Sequence, residues 1–488
     1  MSEQIAVADM LPLLAYMGDM SMGQPFGHSM RVSRLVERLA ATLDLDAATT
    51  RDARQVALLR WVGCTANASE IAEVMDDDVA GRHAMLALRP ADMGLRVPAS
   101  DMAAHASNLS HIHCEVSAVI TAALGLSPGV TDAIQCLFER WDGQGHPRGL
   151  AGDQLPLPTQ LAVLAGDLEI LQREYGLTQA LTLLETRADV VYPRTLVTIV
   201  RAHAATWLDD QALASTADTT PLAEPAHRVD LTLLADTIEL KLPWLTGYSR
   251  TVAEVARKLG AGLGLPADIQ AALGRAALLH SLGRVAVPNH VWNQAGRLSA
   301  RDWESVRLGP YWTARAAALT PALATEVDLA SHAYERLDGS GYFRSAREAT
   351  MPAPYRVLPV ACAWVALRRE RPWRAAMDDA AALAQLQADS TAGRLDAATV
   401  ALLGHAQWAN YAPVATPAEP APSLLSTRER EVLQAISHGH SNKEAARLLG
   451  LSPSTVRTHM ESIFRKLACN SRAAATLKAS MLGLLAAR

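Results

Sequence analysis

Between Ser452 and Leu467 the sequence reads SPSTVRTHMESIFRKL. Val456, Met460, Ile463 and Leu467 recur at spacings of three and four, which predicts a helix with one apolar face. Ser454, Thr458, Glu461 and Arg465 lie opposite, flanked by Thr455 and Arg457. Hydroxyls and guanidinium groups on such a face suit hydrogen bonding to base edges in the major groove of DNA. Lys443, His459 and Lys466 are placed to meet phosphates instead. Ser452 is expected to cap this helix with Pro453 at its first position, after a shorter helix in SNKEAARLLG that stops at Gly450. A second candidate for chemistry is RAALLHSLGR, 275–284, an apolar helix running into a turn with His280 and Ser281 at the junction.

The elements that must position these residues are mostly helical. Stretches such as RVSRLVERLAATL and RTVAEVARKLGAGL keep apolar residues three and four apart, and alternating β-branched runs are scarce, so an all-α protein is expected. The body is also repeated. GHSMRV at Gly27 matches GYSRTV at Gly247, and ALLRWVGC at Ala57 matches ALLHSLGR at Ala277, both offset by 220. FERWDGQGHP at Phe138 matches YERLDGSGYF at Tyr334, and LPTQLAVLAGD at Leu157 matches APYRVLPVACA at Ala353, both offset by 196. Two constant offsets imply a duplication, with about 24 extra residues in the first copy, placed around AEVMDDDVAGRHAMLALRPADMGLRVP.

The 488 residues are too many for one core. The expected domains are 1–209, 227–408 and 424–488, with a Pro-rich linker, ANYAPVATPAEPAPS, at 409–423. A polar, Pro-containing stretch at 209–227 separates the first two. Charge divides the same way. Residues 424–488 carry ten Lys/Arg and four Asp/Glu, a net of +6, and the remainder nets −11. Only the tail is thus suited to a polyanion. The five cysteines form no CxxC pair, no long apolar run suggests a membrane span, and the N-terminus lacks a secretory pattern, so a cytoplasmic protein is expected.

The repeated blocks resemble the HD-GYP family, bacterial phosphodiesterases of the HD superfamily that open cyclic di-GMP. The diagnostic Glu followed by a DGxGYP-like loop appears as Glu139 with Asp142–Pro147, and as Glu335 with Asp338–Phe343. The family chemistry needs metal ions held by His and carboxylate ligands. On that resemblance the first His is His28 in copy one and Tyr248 in copy two. The His-Asp pair becomes Arg60-Trp61 and His280-Ser281, and the next His becomes His113 and Gly309. The His-His pair becomes Leu137-Phe138 and Ala333-Tyr334, and the late Asp becomes Asp167 and Ala363. Only His28, His113, Asp167 and His280 remain, so no complete metal site, no cofactor, no catalytic residue and no phosphodiesterase activity are expected. Residual basic groups such as Arg60 or Arg284 leave room for a small ligand. Trp244, Trp292, Trp303, Trp312 and Trp364 are expected in the core.

The tail resembles the LuxR-type helix-turn-helix domain, through STREREVL, GHSNKEAARLLGLSPSTVRTHMESIFRKL and the closing SRAAA. The resemblance implies binding to double-stranded DNA, and a last helix near 472–486 in which Leu477, Leu484 and Leu485 form a dimer interface. Together these features imply a homodimeric transcription regulator. Its degenerate HD modules would sense a small-molecule or protein effector, with no membrane involved. The rival reading is a metal-dependent phosphohydrolase acting on cyclic dinucleotides, with an accessory DNA-binding domain.

Overall fold

A computed structural model describes residues 3–98, 101–209, 221–224, 226–404 and 424–485. The expected linker at 409–423, and most of the polar stretch at 209–227, lie outside the described residues. The chain divides into two compact units, Ile5–Val229 and Asp230–Arg488, the second including Met1–Gln4. The all-α expectation holds: among the described residues the only sheet is a two-stranded one pairing β1 (Gln4–Ala6) with β2 (Arg228–Asp230).

In the first unit α1 (Val7–Ser21), α2 (His28–Thr42), α3 (Ala47–Leu59), α4 (Met102–Ala123) and α5 (Leu157–Tyr175) build the core. Helix α2 presents Val32, Leu35, Val36 and Leu39, all buried, to α3 and α5. Asp46 caps α3 by accepting from the N–H groups of Ala48 and Thr49. The insertion expected in the first copy takes in the end of one short helix, Ala68–Val74, and the whole of a second, Asp78–Leu86.

In the second unit α6 (Tyr248–Gly262) and α7 (Ala267–Leu279) stand where the 220 offset puts the counterparts of α2 and α3. Helix α8 (Ala353–Leu367) starts 196 residues after α5 begins. Helix α6 buries Val252, Val255, Ala256 and Leu259 against α7 and α8, and each large side chain there contributes about 1.5–3 kcal/mol relative to exposure. Both α2 and α6 are entered through a left-handed glycine, Gly27 at φ 77° and Gly247 at φ 75°.

The duplication extends to single hydrogen bonds. Buried Glu139 accepts from the backbone N–H groups of Arg148 and Leu150, and buried Glu335 accepts from those of Arg344 and Ala346. Asp142 and Asp338 accept from the N–H two residues on, at Gln144 and Ser340. Gly145 and Gly341 allow the loop to close, because a Cβ at either would lie 2.4–2.5 Å from the preceding glutamate's Cα.

The tail is a four-helix unit: α9 (Thr427–Ser437), α10 (Asn442–Leu449), α11 (Pro453–Leu467) and α12 (Arg472–Met481). Capping boxes open α9, through Ser426 and Glu429, and α10, through Ser441 and Glu444. Helix α10 ends at left-handed Gly450, and Ser452 caps α11 by accepting from Thr455 N–H, as expected. Val456, Met460, Ile463 and Leu467 are its buried residues.

Candidate ligand pocket and nucleic-acid interface

In the first unit the ligand positions of an HD site are occupied by ion pairs. Arg60, 6% exposed, lies between Trp61, whose ring centroid is 4.3 Å from its guanidinium carbon, and Asp167, whose carboxylate is 3.0 Å away. Asp167 also accepts from Arg187 at 3.2 Å and from the Tyr192 hydroxyl at 2.8 Å. Burial opposes ionisation of Asp167, but Arg60 and Arg187 outweigh it and hold the carboxyl below its ordinary value. His28 Nδ1 is 2.6 Å from Glu169, which also takes Arg31. Burial works against that carboxylate too, yet His28 and Arg31 bring it down to about 2. His113 is fully buried against Phe138, and burial with the nearby Arg82 charge pushes it down to about 3, so the ring is neutral. The fold therefore gives His28 and Asp167 separate partners. Among the described residues no three His, Cys, Asp or Glu side chains gather where a metal ion could sit. The residues at the ligand positions do not fit a metal pair.

In the second unit the corresponding positions line one cavity of about 260 Å³: Tyr248, His280, Gly309, Ala333, Tyr334 and Ala363. His280 Nδ1 donates to the Ala277 carbonyl at 2.5 Å, and burial pushes this ring down to about 3. Tyr342, from the DGxG loop, stacks on Tyr334 with centroids 5.1 Å apart. The remaining wall holds Trp244, Arg284, Trp292, Arg371 and Trp373.

One sequence expectation changes here. Of the five tryptophans assigned to the core, Trp364 is buried, but Trp244 and Trp292 line the cavity and Trp303 is 44% exposed. Arg371 and Trp373 escaped notice altogether. They follow α8 in a segment with no repeat counterpart among the quoted blocks, so only the fold signals them.

In the tail Lys443, Ser454, Arg457, Thr458 and Arg465 are exposed, with Thr455 and His459 half-buried beside them. Arg457, 77% exposed at its side chain, makes an i,i+4 pair with Glu461. Lys466, expected at a phosphate, is tied to Glu429 at 2.7 Å. Leu477, expected at a dimer interface, is fully buried inside the tail, while Leu484 and Leu485 are half-buried. The tail touches the second HD copy where Thr246 Oγ1 donates to the Ser437 carbonyl at 2.8 Å.

Known proteins match this architecture part by part. The HD domain family model matches residues 68–196 and 232–399, more than half of the chain. The chain belongs to the HD domain family. The model for bacterial regulatory proteins of the luxR family matches residues 423–479. The body is 25% identical over 403 residues to the 3′3′-cGAMP-specific phosphodiesterase 3 of Vibrio cholerae serotype O1, covering 76% of this chain and 88% of that one. The tail is 44% identical over 68 residues to a probable transcriptional regulatory protein, NarL, of Mycobacterium tuberculosis, 14% of this chain and 32% of that one. A crystal structure of a cyclic GMP-AMP specific phosphodiesterase in V. cholerae superposes with a TM-score of 0.58 at 23% identity, over 82% of this chain and 97% of that one.

These relatives correct one expectation. Missing metal ligands led to a reading of the body as a pseudoenzyme without activity. The proteins it matches over most of its length are phosphodiesterases, and the HD body has their fold. A ligand count tests one metal arrangement, position by position. The paired helices and the Glu-held DGxG loop belong to the whole body, and both copies retain them. Among the described residues no helix is long and apolar enough to cross a membrane.

Proposed function

We propose that this chain joins a phosphodiesterase-type HD body, directed at 3′3′-linked cyclic dinucleotides, to a DNA-binding tail, so that one cytoplasmic protein couples such a nucleotide to transcription. The observation that carries this reading is the pairing, in one chain, of a body with phosphodiesterase relatives and an exposed polar helix face of the luxR family. The DNA-reading residues would be Ser454, Thr455, Arg457, Thr458 and Arg465 at base edges, with Lys443 and His459 at phosphates. A homodimer placing two tails on half-sites about one helical turn apart is the natural assembly for such a domain.

The nucleotide half is tested by incubating the purified chain with 3′3′-cGAMP and cyclic di-GMP, with and without added manganese or magnesium, while following free ligand and linear product. Retention or consumption of at least one of them is expected. A chain that neither holds nor opens either dinucleotide defeats this half of the reading.

The DNA half is tested on full-length protein by gel shift against a selected operator. Arg457→Ala is expected to weaken specific binding by about 1–3 kcal/mol while leaving non-specific binding nearly unchanged. Lys443→Ala should lower affinity for all sequences and flatten the salt dependence. Equal operator affinity for wild type and Arg457→Ala at several salt concentrations would remove Arg457 from base reading.

A further inference from the structure

The cavity of the second HD copy is lined by Arg284, Arg371 and the exposed Arg336, and among the described residues by no free carboxylate. Arg284 donates to the Tyr334 hydroxyl at 2.7 and 3.2 Å, and its guanidinium carbon lies 5.4 Å from the ring centroids of Tyr248, Trp292 and Tyr334. Arg371, 7% exposed, lies over Trp244 at 4.7 Å and Tyr248 at 4.9 Å, and its Nη1 is buried with no hydrogen-bond partner among the described residues. The titratable groups acting most on Arg371 are the Tyr248 and Tyr334 hydroxyls and two further guanidiniums, Arg284 and Arg369; burial, opposed by Tyr248 and aided by Arg284, pushes it down to about 10. The carboxylates in the cavity wall are engaged elsewhere. Glu335 accepts from the N–H groups of Arg344 and Ala346, and Asp389 pairs with Arg394.

The first copy solves the same problem differently. Its buried cation, Arg60, has Asp167 as counter-ion, and the position 196 residues on is Ala363, which lines the second copy's cavity. Unpaired guanidiniums in a low-dielectric cavity are unfavourable until an anion enters, and their planar donor fork matches phosphate oxygens. Around them stand aromatic faces, Trp244, Trp292, Tyr334 and Trp373, the last 45% exposed at the rim. Aromatic faces of this kind stack nucleobases. A volume of about 260 Å³ lies just below the usual range for drug-sized ligands, which suits one base with its phosphate better than a whole cyclic dinucleotide.

We propose that Arg284 and Arg371 form a phosphate site in the second HD copy and that its aromatic wall takes one nucleobase, so that the cavity holds a single mononucleotide unit, free or as half of a cyclic dinucleotide. The identity of the larger ligand rests on the nucleotide half of the proposed function; the site itself does not. Phosphate is recognised by side chains alone here, from arginines that line the same cavity as the positions where the family resemblance places metal ligands.

The test is calorimetric titration of the full chain with GMP, inorganic phosphate and 3′3′-cGAMP, for wild type, Arg284→Gln, Arg371→Gln, Trp373→Ala and the exposed control Arg297→Gln, with thermal melts for each. GMP affinity is expected to fall at least about tenfold in either cavity arginine variant and to stay unchanged in the control. Trp373→Ala should lose about fivefold or more for GMP while phosphate affinity stays within about twofold. Should a melt show that Arg284→Gln does not fold, Arg371→Gln and rim-located Trp373→Ala decide the matter. Binding of 3′3′-cGAMP that is indifferent to the arginines and to Trp373 overturns the site and leaves the nucleotide reading standing. Arginine-dependent GMP binding without any engagement of 3′3′-cGAMP supports the site and overturns the dinucleotide reading. Failure of the wild type to bind GMP, phosphate or 3′3′-cGAMP overturns both.

Discussion

Replacing Asp167 with alanine is expected to destabilise the first HD unit by about 3–5 kcal/mol, because it strands a buried cation. Arg60 is 6% exposed, and Asp167 is its only carboxylate partner among the described ion pairs. Arg187 and the Tyr192 hydroxyl lose the same acceptor. Removing both members, as in Arg60→Met with Asp167→Ala, should recover much of the loss, since a buried pair replaced by apolar groups is often near neutral. Urea denaturation of the full chain, with single and double variants compared, checks this. If Asp167→Ala unfolds at the wild-type denaturant concentration, the pair is not what holds this part of the core. The sign of the pH dependence follows from the depressed carboxyl. Its folded pKa lies below the unfolded value, so the stabilisation is present above the unfolded carboxylate range and is lost as pH falls through the folded pKa.

Glu429→Ala is expected to cost the tail about 1.5–3 kcal/mol and, through the fold, most of its DNA binding near physiological temperature. Glu429 is 5% exposed and accepts three bonds, each of 2.7 Å, from Ser426 N–H, Ser462 Oγ and Lys466 Nζ. One carboxylate thus caps α9 and ties it to α11, the DNA-facing helix. Burial opposes its ionisation, but the Lys466 and serine bonds bring the carboxyl down to about 2. The tail should therefore be held fully by this group above about pH 4.5 and weaken as pH falls towards about 2. Differential scanning calorimetry of the full chain is the measurement, with the transition assigned to the tail moving down while the HD transitions stay. A tail transition unchanged in Glu429→Ala would show that the Glu429 bonds do not hold α9 to α11.

The features legible in the sequence are those with local or periodic causes. The all-α class follows from apolar spacings of three and four, the duplication from two constant offsets, and the tail from its capping serines, Gly450 and the four apolar residues of α11. The helical class and the tail depend on residues within a turn or two of one another, and the duplication on repetition along the chain, so sequence by itself determined them, down to the Ser452 cap. The cavity and its charges depend on separation. Arg60 meets Asp167 across 107 residues, which turns two supposed remnants of a metal site into an ion pair. Arg371 reaches the wall that holds His280 and Tyr248 only because the segment following α8 folds back onto α6, and Lys466 becomes a structural cation only because α9 brings Glu429 to it. A ligand-by-ligand reading of His280-Ser281 or Arg60-Trp61 judged each residue against one metal pattern and concluded that the body was inert. Whether a buried charge has a partner is decided by what surrounds it in three dimensions, and that depends on tertiary packing rather than on spacing along the chain.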